Sequence, residues 1–544
     1  MHGLMQHYPL LISQLLTHAE RAHAHGEIVS RTVEGGIHRS TYGDLARRSR
    51  QLANALGSLG VAPGDRVCTL AWNGYRHLEL LYGVSGIGAV LHTANPRLFP
   101  EQIEYIINHA GDEYVFFDTT FAPLLSALAP RLPTVKGYVA LTDRAHLADI
   151  DLPHLLCYED LLAAQPDRYE WPQFDERTAS SLCYTSGTTG NPKGVLYSHR
   201  STVLHAMAQC ASDGMSIRAV DSLLLATPMF HVNGWGVPYA AAMTGVKLVL
   251  PGPTLDGASL YALLRDEEVT LTLGVPTVWL MLKDHIEAHD LEPRRDFKLE
   301  RVLIGGSAAP RALAEYIETR LGAHALHAWG MTETSPLGTG CAPLRKHRGA
   351  TLEQRLDLQA SQGRAPFGVE LKLTDGEGRD LSQDGTTTGH LMIRGHWIAS
   401  AYFGADAAAI VDADGWFDTG DIGSIDADGY LRITDRSKDV IKSGGEWISS
   451  IDLENAAVGH PAVAEAAAIG IAHPKWQERP LLVVVRRKGA SVTREELLAF
   501  LATRVAKWWL PDDVVFVDAL PHTATGKLQK RTLRENYKDY RLPA

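Results

Sequence analysis

Apolar residues follow two alternating patterns along most of the chain. Residues 9–23 and 42–59 place apolar side chains every three or four positions, which predicts amphipathic helices. Short, continuous apolar runs such as 68–70, 181–184 and 301–304 are bounded by turn residues and predict buried strands. Helices that alternate with buried strands are typical of doubly wound, mostly parallel sheets, so the pattern predicts an α/β fold.

The pattern changes towards the end of the chain. Residues 463–471 and 481–485 predict strands, and residues 493–507 predict an amphipathic helix. We interpret this part as a small α+β domain. A second domain is expected in any case, because 544 residues are too many for one hydrophobic core.

The apolar stretch from Leu78 to Leu91 is the one to compare with a membrane span. It contains Glu79 and is too short to cross a bilayer, so it predicts a core helix that runs into a strand. Residues 1–7 lack the basic start and the small-residue cleavage site of a signal peptide. We therefore expect no integral membrane segment.

Composition narrows the classes of function. The net charge of −11, with acids and bases interspersed, gives no electrostatic basis for binding nucleic acid. The hydrophobic fraction of 45% and the charged fraction of 21% are typical of a soluble globular protein. The five cysteines are scattered without C-x-x-C spacing, which predicts reduced thiols, no structural zinc and a cytoplasmic protein.

The stretch from Tyr184 to Gly194 is rich in donors for an anion, with three glycines, four Ser or Thr hydroxyls and one lysine. Glycine permits positive φ, so successive N–H groups can converge on a phosphate. Pro192 before the lysine and Gly194 after it depart from the G-x-x-x-x-G-K-[ST] loop, which disfavours a kinase or motor ATPase. A surface loop with a solvated lysine is the alternative. The candidate phosphate ligands are Thr185, Ser186, Gly187, Thr188, Thr189, Gly190 and Lys193.

The segment from His327 to Thr334 carries the side chains of a nucleotide site within a few residues. Trp329 can stack on adenine, Thr332 can hydrogen-bond phosphate, and Glu333 can hold Mg²⁺ through oxygen. The segment therefore predicts binding of ATP with Mg²⁺. The alternative is a core aromatic beside a Thr-x-Glu helix cap.

Two further segments are weak signals when taken alone. His231 and Trp235 flank a glycine-containing turn and in isolation would be ordinary core residues. Gly305 and Gly306 follow the strand 301–304 and permit close approach of a ligand. For them the alternative is a simple turn from strand to helix.

Charged residues late in the chain also allow two interpretations each. Asp421 can accept the protons of both ribose hydroxyls, and Arg436 can support ribose or phosphate oxygens. The basic tail of residues 521–531 places Lys527 behind a turn that contains glycine. A solvated turn and a solvated tail are the alternatives.

Taken in order, these segments resemble the motifs of the adenylate-forming superfamily, which includes acyl-CoA synthetases, luciferases and the adenylation domains of peptide synthetases. The resemblance covers essentially the whole chain. It implies a large N-terminal domain, residues 1–437, of doubly wound sheets plus a β-barrel-like subdomain. It also implies a mobile C-terminal domain, residues 438–544, that carries the catalytic lysine and is joined by a hinge at Lys438.

The resemblance also implies roles for individual residues. The catalytic set is Lys527, His231, Thr332 and Glu333, with Glu333 on Mg²⁺, whereas the nearby Lys530 is expected to take no part. The residues implied to bind ATP are the loop residues given above, Ser307, Ala308, Trp329, Gly330, Met331, Asp421 and Arg436. The coenzyme A arm is implied to pass Ser443, Gly444 and Gly445, and the acid to contact His231, Val232, Trp235, Gly305 and Gly306.

The implied reaction has two halves. A carboxylate attacks the α-phosphorus of ATP and releases pyrophosphate, and the thiol of coenzyme A then displaces AMP from the acyl-adenylate. The sequence of residues 227–280 resembles that of bacterial medium- and long-chain fatty acyl-CoA synthetases, and we expect the substrate to be a medium-chain acid. The apolar residues around Trp235 offer no countercharge for the ammonium group of an amino acid.

Other functions stay open from the sequence. The same sequence also fits a ligase for a short sulfur-containing acid such as methylmercaptopropionate. A luciferase-like oxygenase or a carrier-protein adenylating enzyme shares the first half-reaction with a different acceptor. A non-catalytic nucleotide-binding protein is a third possibility, against which the complete set of charged motif residues argues. The resemblance implies a homodimer.

Overall fold

The computed structural model describes residues 1, 3–147, 150–185, 191–404, 410–444, 446–522 and 528–543. The strands of this part of the chain form four sheets. The chain begins with the helix Ile12–His23, the hairpin of β1 (Glu27–Arg31) and β2 (Ile37–Thr41), and the helix Tyr42–Ser58. Thr41 and Asp44 form a capping box at the start of that second helix, in agreement with the periodicity of residues 42–59.

A seven-stranded sheet follows, with the strand order β7-β6-β5-β3-β4-β8-β9. Its pairs are parallel except for β8 with β9, and helices connect the strands, as the alternating pattern predicts. The strands are β3 (Arg66–Leu70), β4 (Val90–Thr93), β5 (Tyr114–Phe117), β6 (Gly137–Ala140), β7 (Leu155–Cys157), β8 (Ala179–Tyr184) and β9 (Gly194–Ser198). The helices are Tyr75–Gly86, Pro100–Ala110, Ala122–Leu128 and Tyr158–Ala163.

The second sheet has eight strands in the order β15-β14-β13-β12-β10-β11-β1-β2. Its inner pairs, from β14 to β1, are parallel. The strands are β10 (Ser222–Leu225), β11 (Lys247–Leu250), β12 (Leu271–Gly274), β13 (Arg301–Ile304), β14 (His324–Gly330) and β15 (Leu337–Gly340). The helices are His199–Cys210, Val237–Thr244, Gly257–Asp266, Pro276–Ala288, Pro293–Asp296, Arg311–Tyr316 and Leu352–Gln359.

The third sheet is antiparallel and has four strands, within residues 1–437, the domain for which the resemblance implies a barrel-like subdomain. Its last two strands are joined by a turn at Asp428 and Gly429, where Gly429 has a φ of +86° that favours glycine. The strands are β16 (Val369–Thr374), β17 (Gly389–Gly395), β18 (Phe417–Ile425) and β19 (Leu431–Arg436).

The last sheet belongs to the small C-terminal part, which has its own apolar clusters on both faces of the long hairpin β22–β23. The strands are β20 (Ile441–Ser443), β21 (Glu446–Ile448), β22 (Val463–His473), β23 (Gln477–Arg486) and β24 (Asp513–Val517). The helices are Ser450–Val458, Arg494–Ala502 and Lys530–Asn536. An α+β domain is therefore confirmed.

One helix is shorter than its sequence pattern predicts. The periodic stretch 493–507 forms a helix only over Arg494–Ala502. The N–H of Arg504 closes the last turn on the carbonyl of Leu501, and the following Trp508 and Trp509 pack against the apolar cluster of this part of the chain. The apolar positions beyond Ala502 thus belong to a separate turn.

The apolar stretch after Leu78 lies in the core, as expected. The helix Tyr75–Gly86 shares one apolar cluster with strands β3 and β10 of the two large sheets. Its Glu79 accepts hydrogen bonds from the Arg48 guanidinium at 2.6 Å and from the Tyr158 hydroxyl at 2.6 Å. Across the residues that the structure describes, no helix combines the length and the apolar character that crossing a bilayer requires.

A buried cluster of charges connects strand β19 to the C-terminal part. Asp435 at the end of β19 accepts the backbone N–H of Ser450 at 2.7 Å and also the Ser450 hydroxyl. Lys530 donates to that same hydroxyl and lies 2.8 Å from the carboxylate of Glu454. Burial raises the pKa of Glu454 to about 7, against the opposing effect of the Lys530 charge. Lys530 is thus the cation that balances two buried carboxyl groups.

We expect Lys530→Met to lower the free energy of unfolding by about 3–5 kcal/mol at neutral pH, because it leaves buried carboxylates unpaired. Burial raises the pKa of both Glu454 and Asp435, so protonation relieves the loss in acid. The destabilisation should therefore be larger near about pH 8 than near about pH 6, as calorimetry of the full chain can measure. The control is Lys488→Met at an exposed position, and an equal shift in both variants would contradict the assignment.

Candidate functional site

Most of the described candidate residues line one cavity of about 1030 Å³. The cavity lies beyond the carboxyl ends of β8, β13 and β14, the edge of an open α/β structure at which ligands bind. The candidates that line it are Thr185, Lys193, His231, Trp235, Gly305, Gly306, Trp329, Gly330, Met331, Thr332, Glu333, Arg436 and Lys438.

Several candidates fall outside the described residues, namely Ser186, Gly187, Thr188, Thr189, Gly190, Gly445 and Lys527. Described residues next to the phosphate loop and to Lys527 lie at the cavity, whereas Gly444, next to Gly445, does not. Thr185 and Lys193 line it, and the backbone N–H of Lys193 donates to the Thr185 hydroxyl at 3.1 Å. On the other side, Leu528 and Gln529 of the C-terminal part line the same cavity.

Other candidates are described but do not line the cavity. Val232, Ser307, Ala308, Asp421, Ser443 and Gly444 are in this group. Asp421 lies directly behind the wall, where its carboxylate accepts the indole N–H of Trp329 at 2.9 Å and pairs with Arg436 at 2.9 Å. Ser443 is buried inside the C-terminal part instead, and Gly444 is exposed beside Trp476 and Trp508.

Two other segments of the chain surround Glu333 and the residue before it. It is 5% exposed, and its Oε1 accepts the Tyr402 hydroxyl at 2.6 Å. The Tyr197 hydroxyl donates to the backbone carbonyl of Thr332 at 2.7 Å. The Lys193 ammonium lies 4.7 Å from the centre of the Tyr402 ring, within range of a cation–π contact.

The segment that carries Tyr402 also connects the two nucleotide motifs through its backbone. The N–H of Ala399 donates to the carbonyl of Glu333 at 2.8 Å, and the N–H of Phe403 donates to that of Gly194 at 2.8 Å. Sequence reasoning missed Tyr402, because an isolated tyrosine has no spacing that predicts its partners. A buried carboxylate on the cavity wall beside a threonine fits an oxygen-bound Mg²⁺.

The other end of the cavity is apolar. The indole of Trp235 lies on the backbone of the Gly305–Gly306 turn, where a Cβ added to Gly305 would be 2.9 Å from the ring. Trp235 belongs to the same apolar cluster as Leu303 and Ala328, which also line the cavity. Glycine at position 305 is thus required for the close approach of the ring.

Two charged residues that line the cavity, Arg301 and Glu318, are paired within the protein. Arg301 lies 2.6 Å from Asp221, and Glu318 lies 2.7 Å from Arg355. These two charges are therefore compensated within the protein.

Two family descriptions match the chain: AMP-binding enzyme over residues 17–403, and AMP-binding enzyme C-terminal domain over residues 452–527. A 3-methylmercaptopropionyl-CoA ligase of Ruegeria lacuscaerulensis is 52% identical over 537 residues, 99% of each chain. A medium-chain-fatty-acid–CoA ligase of Ectopseudomonas oleovorans is 49% identical over 540 residues, 99% of this chain and 98% of the relative. The solved structure of an anthranilate CoA ligase in complex with anthranoyl-AMP has a TM-score of 0.85 at 26% identity and covers 98% of both chains.

The contact between Tyr402 and Glu333 yields a prediction about Mg²⁺. We expect Tyr402→Phe to raise the Mg²⁺ concentration for half-maximal release of pyrophosphate from ATP by at least about tenfold, since a hydrogen bond to a charged group contributes about 1.5–3 kcal/mol. A Mg²⁺ titration at saturating ATP measures the change.

The matched control is Tyr261→Phe. The Tyr261 hydroxyl also donates to a carboxylate, that of Asp296 at 2.6 Å, but it does not line the cavity. This variant should keep the Mg²⁺ dependence of the unmodified protein. If Tyr402→Phe keeps it as well, Tyr402 does not position the metal ligand.

Proposed function

We propose a function for this chain from its family: it belongs to the AMP-binding enzymes. The proposed function is that of an ATP-dependent acid–thiol ligase, which converts a medium-chain fatty acid into its coenzyme A thioester. AMP and pyrophosphate are the other products.

The observation that carries the proposal is that one cavity joins two chemically different ends. Lys193, Thr332, Glu333 and Arg436 lie at the polar end, and Trp235 lies on the glycine turn at the apolar end. His231 lines the cavity together with both groups. This arrangement supports a reaction between an anionic nucleotide and the head of an acid with an apolar tail.

In the first half-reaction two anions must meet, because the acid attacks the α-phosphorus of ATP as a carboxylate. The work of the protein is therefore alignment and neutralisation of charge. We assign phosphate binding to Lys193, Thr332 and the loop that begins at Thr185, and ribose and phosphate support to Arg436 with Asp421. Glu333 would hold Mg²⁺, which when bound neutralises phosphate oxygens.

We assign Trp329 to the adenine side of the site, together with Gly330 and Met331, which line the cavity beside it. The indole N–H of Trp329 donates to Asp421, so the same carboxylate orients the aromatic ring and Arg436. In this way one connected set of side chains would bind the base, the ribose and the phosphates.

The catalytic cation of the proposal is Lys527, which reaches the carboxylate and the α-phosphate in the first half-reaction. Support comes from its neighbours Leu528 and Gln529, which line the cavity. For the second half-reaction we propose that the C-terminal domain turns at Lys438, so that Ser443, Gly444 and Gly445 receive the coenzyme A arm. The thiol then attacks the acyl carbonyl carbon, and AMP leaves with the bonding electrons.

The choice of acid is the finer part of the proposal. A medium-chain fatty acid fits the apolar end, and the relative of Ectopseudomonas oleovorans is named for such substrates. The relative of Ruegeria lacuscaerulensis is named for 3-methylmercaptopropionate, a shorter acid with an apolar thioether, which is the second candidate. We further propose a cytoplasmic homodimer that uses ATP, Mg²⁺ and coenzyme A.

The experiment that tests the function measures AMP and thioester from ATP, Mg²⁺ and coenzyme A with butyrate, octanoate, palmitate and 3-methylmercaptopropionate. We expect the highest kcat/KM with octanoate, because each added methylene that is buried contributes about 0.8 kcal/mol until the pocket is full. A higher value with 3-methylmercaptopropionate would establish the second candidate. Pyrophosphate exchange without any thioester would refute coenzyme A as the acceptor.

A second prediction isolates Lys527. We expect Lys527→Ala to lower acid-dependent pyrophosphate exchange by at least about a hundredfold, since it removes the cation between two anions. Thioester formation from supplied acyl-adenylate and coenzyme A should continue. The control is Lys507→Ala at an exposed position of the same domain. Equal loss of both half-reactions, or normal exchange, would count against the role.

A further inference from the structure

The segment that carries His231 and Trp235 contains an unusual turn of the backbone. Five consecutive residues have positive φ: Val232 at +44°, Asn233 at +41°, Gly234 at +60°, Trp235 at +55° and Gly236 at +73°. They form one turn of left-handed helix. Only two of the five are glycines, and one of the others is a β-branched valine.

Such a turn needs support from outside. In the left-handed region the Cβ of an L-residue comes close to its following carbonyl oxygen, so residues other than glycine avoid it, and runs of them are rare. Strained backbone of this kind persists only where the surrounding structure fixes it. The contacts of the turn with other elements therefore decide where the side chain of Trp235 points.

One support holds the first half of the turn through Asn233. Its amide oxygen accepts the Ser181 hydroxyl of β8 at 2.6 Å, and its amide nitrogen donates to the Thr93 hydroxyl of β4 at 3.3 Å. All three side chains are buried. These contacts attach the turn to the sheet that leads into the phosphate loop.

A second support holds the end of the turn through Gln209. This residue lies near the end of the helix His199–Cys210, is 3% exposed, and its amide nitrogen donates to the backbone carbonyl of Trp235. His205, one turn earlier on the helix, packs against Gly236, where an added Cβ would be 2.5 Å from its ring. The helix thus supports the turn directly at Trp235 and its neighbour.

Gln209 also lines the cavity, although no motif contains it. It therefore lies both at the wall of the acid site and on the backbone of the residue that closes its apolar end. The indole has little freedom on its other side, because Gly305 and Gly306 contact the ring. Loss of the hydrogen bond from Gln209 would therefore move the Trp235 ring and change the depth of the apolar end.

We propose that Gln209 is a specificity-determining residue, which fixes Trp235 in the left-handed turn and thereby sets the length of acid that the cavity accepts. The proposal rests on the proposed function of the cavity as an acid-binding site. Gln209 acts through Trp235 and is a positioning residue.

The test compares kcat/KM for butyrate, octanoate and palmitate between the unmodified chain and Gln209→Met, which keeps the length of the side chain and removes the amide donor. We expect the ratio of palmitate to butyrate to change by more than about fourfold, the factor that one methylene contributes. KM for ATP should stay unchanged, whereas general loss of structure would alter it. Gln209→Leu, which also lacks an amide donor, should change the ratio in the same way and serves if the first variant does not fold.

A double variant shows whether the effect runs through the indole. In a Trp235→Ala background, Gln209→Met should leave the ratio of palmitate to butyrate unchanged, because the side chain that it positions is missing. A change as large as that in the single variant would overturn the proposal. So would a ratio equal to that of the unmodified chain in both Gln209→Met and Gln209→Leu.

The matched control is Gln362→Met, at another buried glutamine. The Gln362 amide oxygen accepts the N–H of Ile433 at 2.6 Å, outside the cavity and away from the turn. This variant should retain the acid profile of the unmodified chain, and an altered profile in it would overturn the specific role of Gln209. If the unmodified chain forms no thioester from any acid, the proposed function fails. If it forms thioesters and the Gln209 variants have the same acid profile as the unmodified chain, only this inference fails.

Discussion

The buried carboxylate of Glu333 is the group around which the polar end of the cavity is arranged. A carboxylate with 5% exposure requires a partner, and two distant segments of the chain contact Glu333 and the residue before it. The Tyr402 hydroxyl donates to it, the backbone of Ala399 binds its carbonyl, and the Tyr197 hydroxyl binds the preceding residue. Because the same segment also binds Gly194, satisfying Glu333 brings the two nucleotide motifs together.

Local chemistry explains what the sequence predicts well. Spacing over a few positions predicts where helices start, as in the capping box of Thr41 and Asp44. It also predicts the buried strands of both large sheets and the residues of the motifs. Interactions between distant positions do not follow in this way. Tyr402 lies 69 residues from Glu333, and Gln209 lies 26 residues from Trp235, so neither pair has a local pattern.

Two departures have the same kind of cause. The amphipathic pattern after residue 493 continues past the end of the helix, because the tertiary contacts of Trp508 and Trp509 use the remaining apolar positions for a separate turn. The left-handed turn at Val232 opposes the intrinsic preference of valine. In both cases packing against other elements outweighs local propensity, and a single sequence records no such packing.

The two ends of the cavity are therefore fixed by different means, and the C-terminal part contacts strand β19 at the polar end. Strand β19 ends with Asp435 and Arg436, which face in different directions: Arg436 pairs with Asp421 behind the cavity wall, and Asp435 binds the first residue of the helix Ser450–Val458. If the C-terminal part turns at Lys438 as we propose, the contacts of Asp435 with Ser450 would break. They would break one residue away from the guanidinium assigned to the nucleotide. We infer that the position of the C-terminal part and the occupancy of the nucleotide end are coupled through the backbone of this strand.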